Sequence, residues 1–183
     1  MQDFEVGSVD HLTDAEILAH RDAAIAQMRW LRQYTLQLID SVPQQQWYEQ
    51  PAGTPTHVAW QVGHLAVSQY GLMLFRQRGR AAGDLEIMPG WLRKRFGRGS
   101  SPMPCDGDAP APATLLEYLH RIHQQSLEES SQLSATTLRE PVDLPYAAFP
   151  NKLGALLLCP IHESIHAGQI GLVRRLLGYP PLR

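Results

Sequence analysis

Two runs of histidine and glutamine stand out among the eight histidines of this sequence. His162, His166 and Gln169 lie at i, i+4 and i+7 in the segment Pro160-Ile-His-Glu-Ser-Ile-His-Ala-Gly-Gln169. On a helix they share one stripe, and two imidazoles one turn apart, with Cβ atoms about 5–6 Å apart, can grip one cation. Earlier in the chain His57, Gln61, His64, Ser68 and Gly71 follow spacings of 4, 3, 4 and 3, which is again one helical stripe. Val58, Leu65 and Leu72 flank it on one side; Trp60, Val67 and Leu74 flank it on the other. A polar stripe between two apolar ones lines an interior pocket rather than a solvent face, and the small Ser68 and Gly71 leave room there. Buried imidazoles need partners, and a metal ion is an efficient one. His64, in mid-stripe, is the best third ligand for the His162/His166 pair. Three histidines with one open position match a catalytic rather than a structural zinc site. Zinc, nickel, cobalt and ferrous iron all accept three imidazoles. A single histidine on an apolar face is more often a core residue than a ligand, so the conjunction of the two stripes carries this reading. His57 either supports the ligands or sits at the mouth of the stripe, and His11, His20, His120 and His123 read as surface residues.

Chemistry at such a site also needs groups that handle substrate. Glu163 or Gln169 could position a nucleophile, and the spacing does not choose between them. His162-Glu163-Ser-Ile-His166 spells the His-Glu-x-x-His pattern of zinc peptidases. That reading fails downstream: none of the 17 residues after His166 is His, Asp or Glu, so no third ligand follows. Seven cations, Arg76, Arg78, Arg80, Arg93, Lys94, Arg95 and Arg98, outnumber Asp84 and Glu86 in their stretch. They form either a solvated loop or a clamp for an anionic cofactor such as a carboxylate-bearing thiol, with Arg76, Arg78 and Arg93 as its candidate residues.

Four helices must hold these groups in place. Thr13-Asp-Ala-Glu16 reads as a capping box, and apolar residues at helical period extend a first helix over about 14–41. Thr54-Pro55 opens a second, to about residue 77. Residues 80–113 carry five prolines and five glycines and read as a long crossover loop, with one helical turn near Trp91–Arg95. Thr114-Leu-Leu-Glu117 reads as another capping box, starting a third helix over about 114–133. The fourth covers about 151–177, and Pro160 inside it should kink the helix, because it removes one donor and clashes with the preceding turn. The fold class is therefore all-α: one domain over residues 1–183, a four-helix bundle with a long crossover between its second and third helices.

Composition agrees with a compact globular chain: 44% hydrophobic and 19% charged residues, with a net charge of −2. That charge balance argues against a nucleic-acid partner. No apolar run is long enough to span a bilayer, and the acidic start lacks the basic and apolar regions of a signal peptide. Two cysteines make no disulfide framework. The expected setting is soluble and cytoplasmic.

Trp60-Gln-Val-Gly-His-Leu-Ala66 and His162-Glu-Ser-Ile-His-Ala-Gly-Gln-Ile170 resemble the DinB-like superfamily of metal-binding four-helix bundles. So do Trp91, the Phe96-Gly-Arg-Gly-Ser100 segment and the Leu-Gly-Tyr-Pro ending at 177–180; together the resemblance spans about residues 13–180. It implies one divalent metal per chain, often zinc or nickel, held by one histidine of the second helix and two of the last, at His64, His162 and His166. It also implies a homodimer. Characterised relatives of this kind include transferases and isomerases that use low-molecular-weight thiols, while many members have no known activity. In the related domain of sulfoxide synthases a glutamate follows the last histidine by two residues; Gly168 stands there in this chain, which argues against that chemistry. The expected function is a metal-dependent thiol S-transferase, or a related small-molecule transferase or hydrolase. The alternative is a non-catalytic metal-binding stress or regulatory protein.

Overall fold

A computed structural model of the chain describes residues 8–142 and 149–182. Helices carry all the regular structure among these residues; no strand occurs, and a single β-bridge joins Pro141 to Asn151. None of the described helices is long and apolar enough to cross a membrane.

Helix α1 spans Asp14–Asp40. Its start is the expected capping box: Thr13 Oγ1 accepts from the Glu16 N–H at 3.3 Å, and the Glu16 carboxylate accepts from the Thr13 N–H at 2.7 Å. Helix α2 begins with an α-helical stretch, Val58–Gln69. It continues through a π-helical stretch, Tyr70–Phe75, into a last turn at Arg76–Arg78. It starts later than Thr54-Pro55 suggested. The Thr54 hydroxyl bonds to the carbonyls of Pro51 and Thr56 and closes a turn instead. The N-cap is His57, whose Nδ1 accepts from the Trp60 N–H at 3.1 Å.

The crossover is less irregular than expected. It contains α3, Asp84–Ile87, and α4, Gly90–Phe96, the second longer than the single turn anticipated there. Helix α5 spans Pro112–Ser131 and starts on proline rather than on a Thr114 box. Its fixed φ suits the first helical position, and Thr114 already donates its N–H to the Ala111 carbonyl inside the first turn. Helix α6, Ala135–Arg139, is capped by Ser134. Helix α7, Lys152–Leu176, is capped by Asn151, whose Oδ1 accepts from the Gly154 N–H at 2.8 Å, and it runs through Pro160 without a break.

The four long helices pack so that each meets two others: α1 lies on α7 and α5, and α2 lies on α5 and α7. Helix α4 rests on α2. One apolar cluster gathers Trp47, Val62, Leu65, Phe96, Leu119 and Ile170. A second gathers Ile17, Met28, Met73, Leu138, Leu153 and Leu156. Full burial of each such side chain contributes about 1.5–3 kcal/mol, and this packing holds the histidine-bearing helices together.

One charged group is buried with them. Arg32 of α1 is 2% exposed and forks onto Glu163 of α7, Nε to Oε1 and Nη2 to Oε2, both at 2.7 Å. The guanidinium also donates to the Leu119 carbonyl of α5 and to Gln69 Oε1 of α2. Gln69 then reaches His123 Nδ1 on α5 at 3.1 Å through its amide nitrogen. One arginine thus touches all four long helices. His123 is half-buried in this network rather than on the surface, and burial beside Arg32 pushes its pKa down to about 3.

Candidate metal centre

Helix α2 supplies His64 and helix α7 supplies His162 and His166 to one cluster, in which a nitrogen from each lies within 4.8 Å of the other two. The two Nε2 atoms of His162 and His166 are 3.2 Å apart. Two imidazoles on one tetrahedral ion, with bonds of about 2.0–2.1 Å, would stand ~3.3 Å apart.

The other ring nitrogens fix the tautomers. His64 Nδ1 lies 2.7 Å from the Phe96 carbonyl, so Nδ1 carries the proton and Nε2 keeps its lone pair. His166 Nδ1 lies 2.6 Å from Gln61 Oε1 and is likewise the donor, because Gln61 spends its amide hydrogens on Thr56 Oγ1 at 3.0 Å and Gln169 Oε1 at 2.9 Å. Ser68 Oγ stands 3.3 Å from His64 Nε2, and the Trp60 indole stacks on His64 with centroids 4.6 Å apart. Burial lowers all three imidazole pKa values, and the repulsion that neighbouring imidazoles would exert once charged adds to this for the helix α7 pair: His162 falls to about 4 and His166 to about 3. The three rings are neutral at pH 7, the form that ligates a cation. These residues fit a divalent ion by donor type, protonation state and spacing.

Local packing explains the Phe96 contact. A Cβ at Gly63 would stand 2.4 Å from the Phe96 ring, so only glycine lets α4 press its phenyl group against α2. The same approach brings the Phe96 carbonyl to His64. His57 makes a parallel link: its Nε2 lies 2.8 Å from the Met103 carbonyl and ties the crossover to the start of α2.

Glu163 does not face this cluster as a free carboxylate. Both its oxygens are taken by Arg32, and the residue is 2% exposed. The expectation that it positions a nucleophile does not fit this placement. Gln169 stays with the cluster through Gln61. Of the three candidate clamp residues, Arg78 is already paired within the protein. Arg78 pairs with Asp84 at 2.8 Å and with Glu129, and these bonds raise its pKa and hold Asp84 at about 2. Arg78 lines a cavity of about 870 Å³ with Gln77, Glu86 and Glu128, and none of the three histidines reaches it. Arg93 lies exposed on α4, and Arg76 sits in the last turn of α2. None of the three lines the smaller cavity, about 470 Å³, that does include His166.

Sequence reading did not find Arg32 or Gln69, and it reached Phe96 only as part of the segment that carries the resemblance, without a role. Arg32 had a readable signal: it lies four residues after Met28 and three before Thr35, on the stripe that α1 buries. A charge on such a stripe needs an opposite partner, and Glu163 sits four residues after the buried Cys159 of α7.

A helical chain with three converging neutral imidazoles defines a class of proteins able to hold a metal ion between helices. The chain belongs to the DinB superfamily, whose family model matches residues 27–170 and so includes all three histidines. A search of curated proteins gives no match.

Proposed function

We propose that this protein is a four-helix bundle that binds one divalent ion, zinc or nickel, through His64, His162 and His166, and that it is a metal-dependent thiol S-transferase or a related small-molecule transferase. The observation that carries this reading is the convergence of three imidazoles, two of which, His64 and His166, have their tautomers set from behind by Phe96 and Gln61. A bound divalent ion lowers the pKa of a thiol or water at its open position. The residues around the cluster favour the thiol. Hydrolysis is helped by a free carboxylate as general base, and Glu163 is engaged by Arg32. A thiol that has already ionised needs none. Gln169 takes the part of orienting a bound group in this reading, supported by its bond to Gln61 beside the cluster.

The protein also pairs as a homodimer in this reading. Helix α7 leaves Ile161, Ile165 and Leu176 exposed along one side, and α1 leaves Trp30 and Tyr34 exposed as a stacked pair. Light scattering tests this: a stable monomer at micromolar concentration refutes it.

The functional test starts with elemental analysis of untagged protein, then zinc and nickel titration, then turnover with low-molecular-weight thiols and a small electrophile. Uptake of one ion per chain with thiol transfer supports the proposal. Uptake without turnover moves the assignment to a metal-binding stress or regulatory protein. No uptake overturns both.

A further inference from the structure

The cavity of about 470 Å³ that meets the cluster at His166 is within the size range of small-molecule sites. It is bounded by the turn before α2, by Trp60 and Gln61, by Ser100, Ser101 and Pro102 of the crossover, and by Gln169, Leu172 and Val173 of α7. No Asp, Glu, Lys or Arg lines it. Gln169 is exposed at the cavity and its Oε1 accepts from Gln61 Nε2 at 2.9 Å, so its amide NH₂ is the part of the side chain that can donate to a ligand. Ser100 Oγ accepts from the Trp60 indole N–H at 3.1 Å, which leaves its own hydrogen to donate. Gln61 Oε1 and Thr56 Oγ1 are engaged within the cluster's supporting bonds. The cavity therefore offers an aromatic and aliphatic wall with hydrogen-bond donors and no fixed charge.

A charged ligand body moved into such a wall loses its hydration without gaining a counter-ion, which is strongly unfavourable. An apolar body carrying a carbonyl-type acceptor keeps its hydrogen bonds, supplied by Gln169 and Ser100. The geometry points to a substrate whose body is uncharged and largely apolar, with one hydrogen-bond acceptor, seated between Trp60 and Leu172 beside His166. This assignment names the substrate class for the metal reading above and rests on it. It replaces the anionic ligand that the arginine cluster suggested.

Three probes of one shape separate the classes: benzamide (neutral), benzoate (anionic) and benzamidine (cationic). Their binding to the purified full chain is measured by ligand-observed NMR and by the shift of the Trp60 indole N–H, first without metal, so that benzoate cannot bind through the ion, and then with zinc. The expected result in the metal-free protein is benzamide binding tighter than either charged probe by about tenfold or more. Leu172→Glu, at an exposed wall position, should weaken benzamide by a similar factor. Leu172→Met should leave it unchanged. Equal or tighter binding of benzoate or benzamidine overturns the inference. So does absence of benzamide binding, or binding that Leu172→Glu does not alter. Zinc uptake is followed on the same samples. Protein that takes zinc but prefers a charged probe sinks this inference and leaves the metal reading standing. Protein that takes no zinc but prefers benzamide removes the metal and leaves the cavity assignment intact.

Discussion

Gln61 Oε1 and His166 Nδ1 stand 2.6 Å apart, joining α2 to α7 at the point where both helices present the clustered histidines. The bond decides which nitrogen of His166 is free to ligate. Gln61→Leu should therefore weaken zinc binding by about 10–100-fold while leaving the three histidines in place. Gln61→Glu keeps an acceptor at that position and should retain most of the affinity. Chelator competition measures both variants; equal losses would show that Gln61 acts only by packing.

Alanine at His64, His162 or His166 should lower metal affinity by an order of magnitude or more. His120→Ala, at an exposed position, should change nothing. His123→Ala should lower thermal stability through the Gln69 contact yet leave zinc affinity near that of the parent. A zinc defect in the His123 variant as large as that of a ligand variant would contradict this assignment.

Gly63→Ala puts a methyl group 2.4 Å from the Phe96 ring. Overpacking of this kind costs about 1–3 kcal/mol. The displaced Phe96 carbonyl would also leave His64 Nδ1, so metal affinity should fall together with the melting temperature. Gly63→Ala combined with Phe96→Leu should recover stability. Unchanged melting of the single variant would sink the argument.

Glu163→Ala leaves Arg32 buried without its counter-ion, and breaking a buried pair in this way costs about 3–5 kcal/mol. Glu163→Gln should cost less, because one hydrogen-bond acceptor survives. The double replacement Arg32→Met with Glu163→Leu should be closer to the parent than either single loss. Denaturant midpoints decide; additive losses in the double variant would show that the two residues do not act as a pair.

Acid should unfold the metal-free protein through its histidines. Burial holds His123 and His166 at about 3 and His162 at about 4, against about 6.5 in an unfolded chain. Between those values the unfolded state binds protons that the folded state does not, so stability rises with pH across the window. It should be fully present above about pH 6.5 and be lost progressively as pH falls toward 4. The sequence alone places proton competition for metal near ~6.5; the lowered values of all three imidazoles move it to lower pH for protein that is still folded. Urea midpoints that stay flat from pH 7 to 4 would refute this.

The first helix and its cap were legible because Thr13, Glu16 and the apolar period act over one turn of chain. The three histidines were legible because helical spacing puts them on defined stripes. Helix starts at Thr54 and Thr114 were misread where a local rival prevailed: a turn closed by the Thr54 hydroxyl, and a proline two residues before Thr114. The pairing of Arg78 was not legible, because sequence proximity says nothing about partners such as Glu129, which lies 51 residues from it. Phe96 contributes a backbone carbonyl, and no side-chain pattern announces that.

The crossover from α2 to α5 is fastened along its length: Phe96 to His64, Ser100 to Trp60, Met103 to His57, Arg95 to Asp106 and Pro110 to Tyr48. A flexible loop of this length accepts extra residues at little entropic cost, since each doubling adds only about 0.6 kcal/mol. Here an insertion would shift the register of carbonyls that two histidines depend on. Length change should therefore be poorly tolerated between Phe96 and Met103, the part of the crossover that works as backbone scaffolding for the site, even though its composition is that of an ordinary linker.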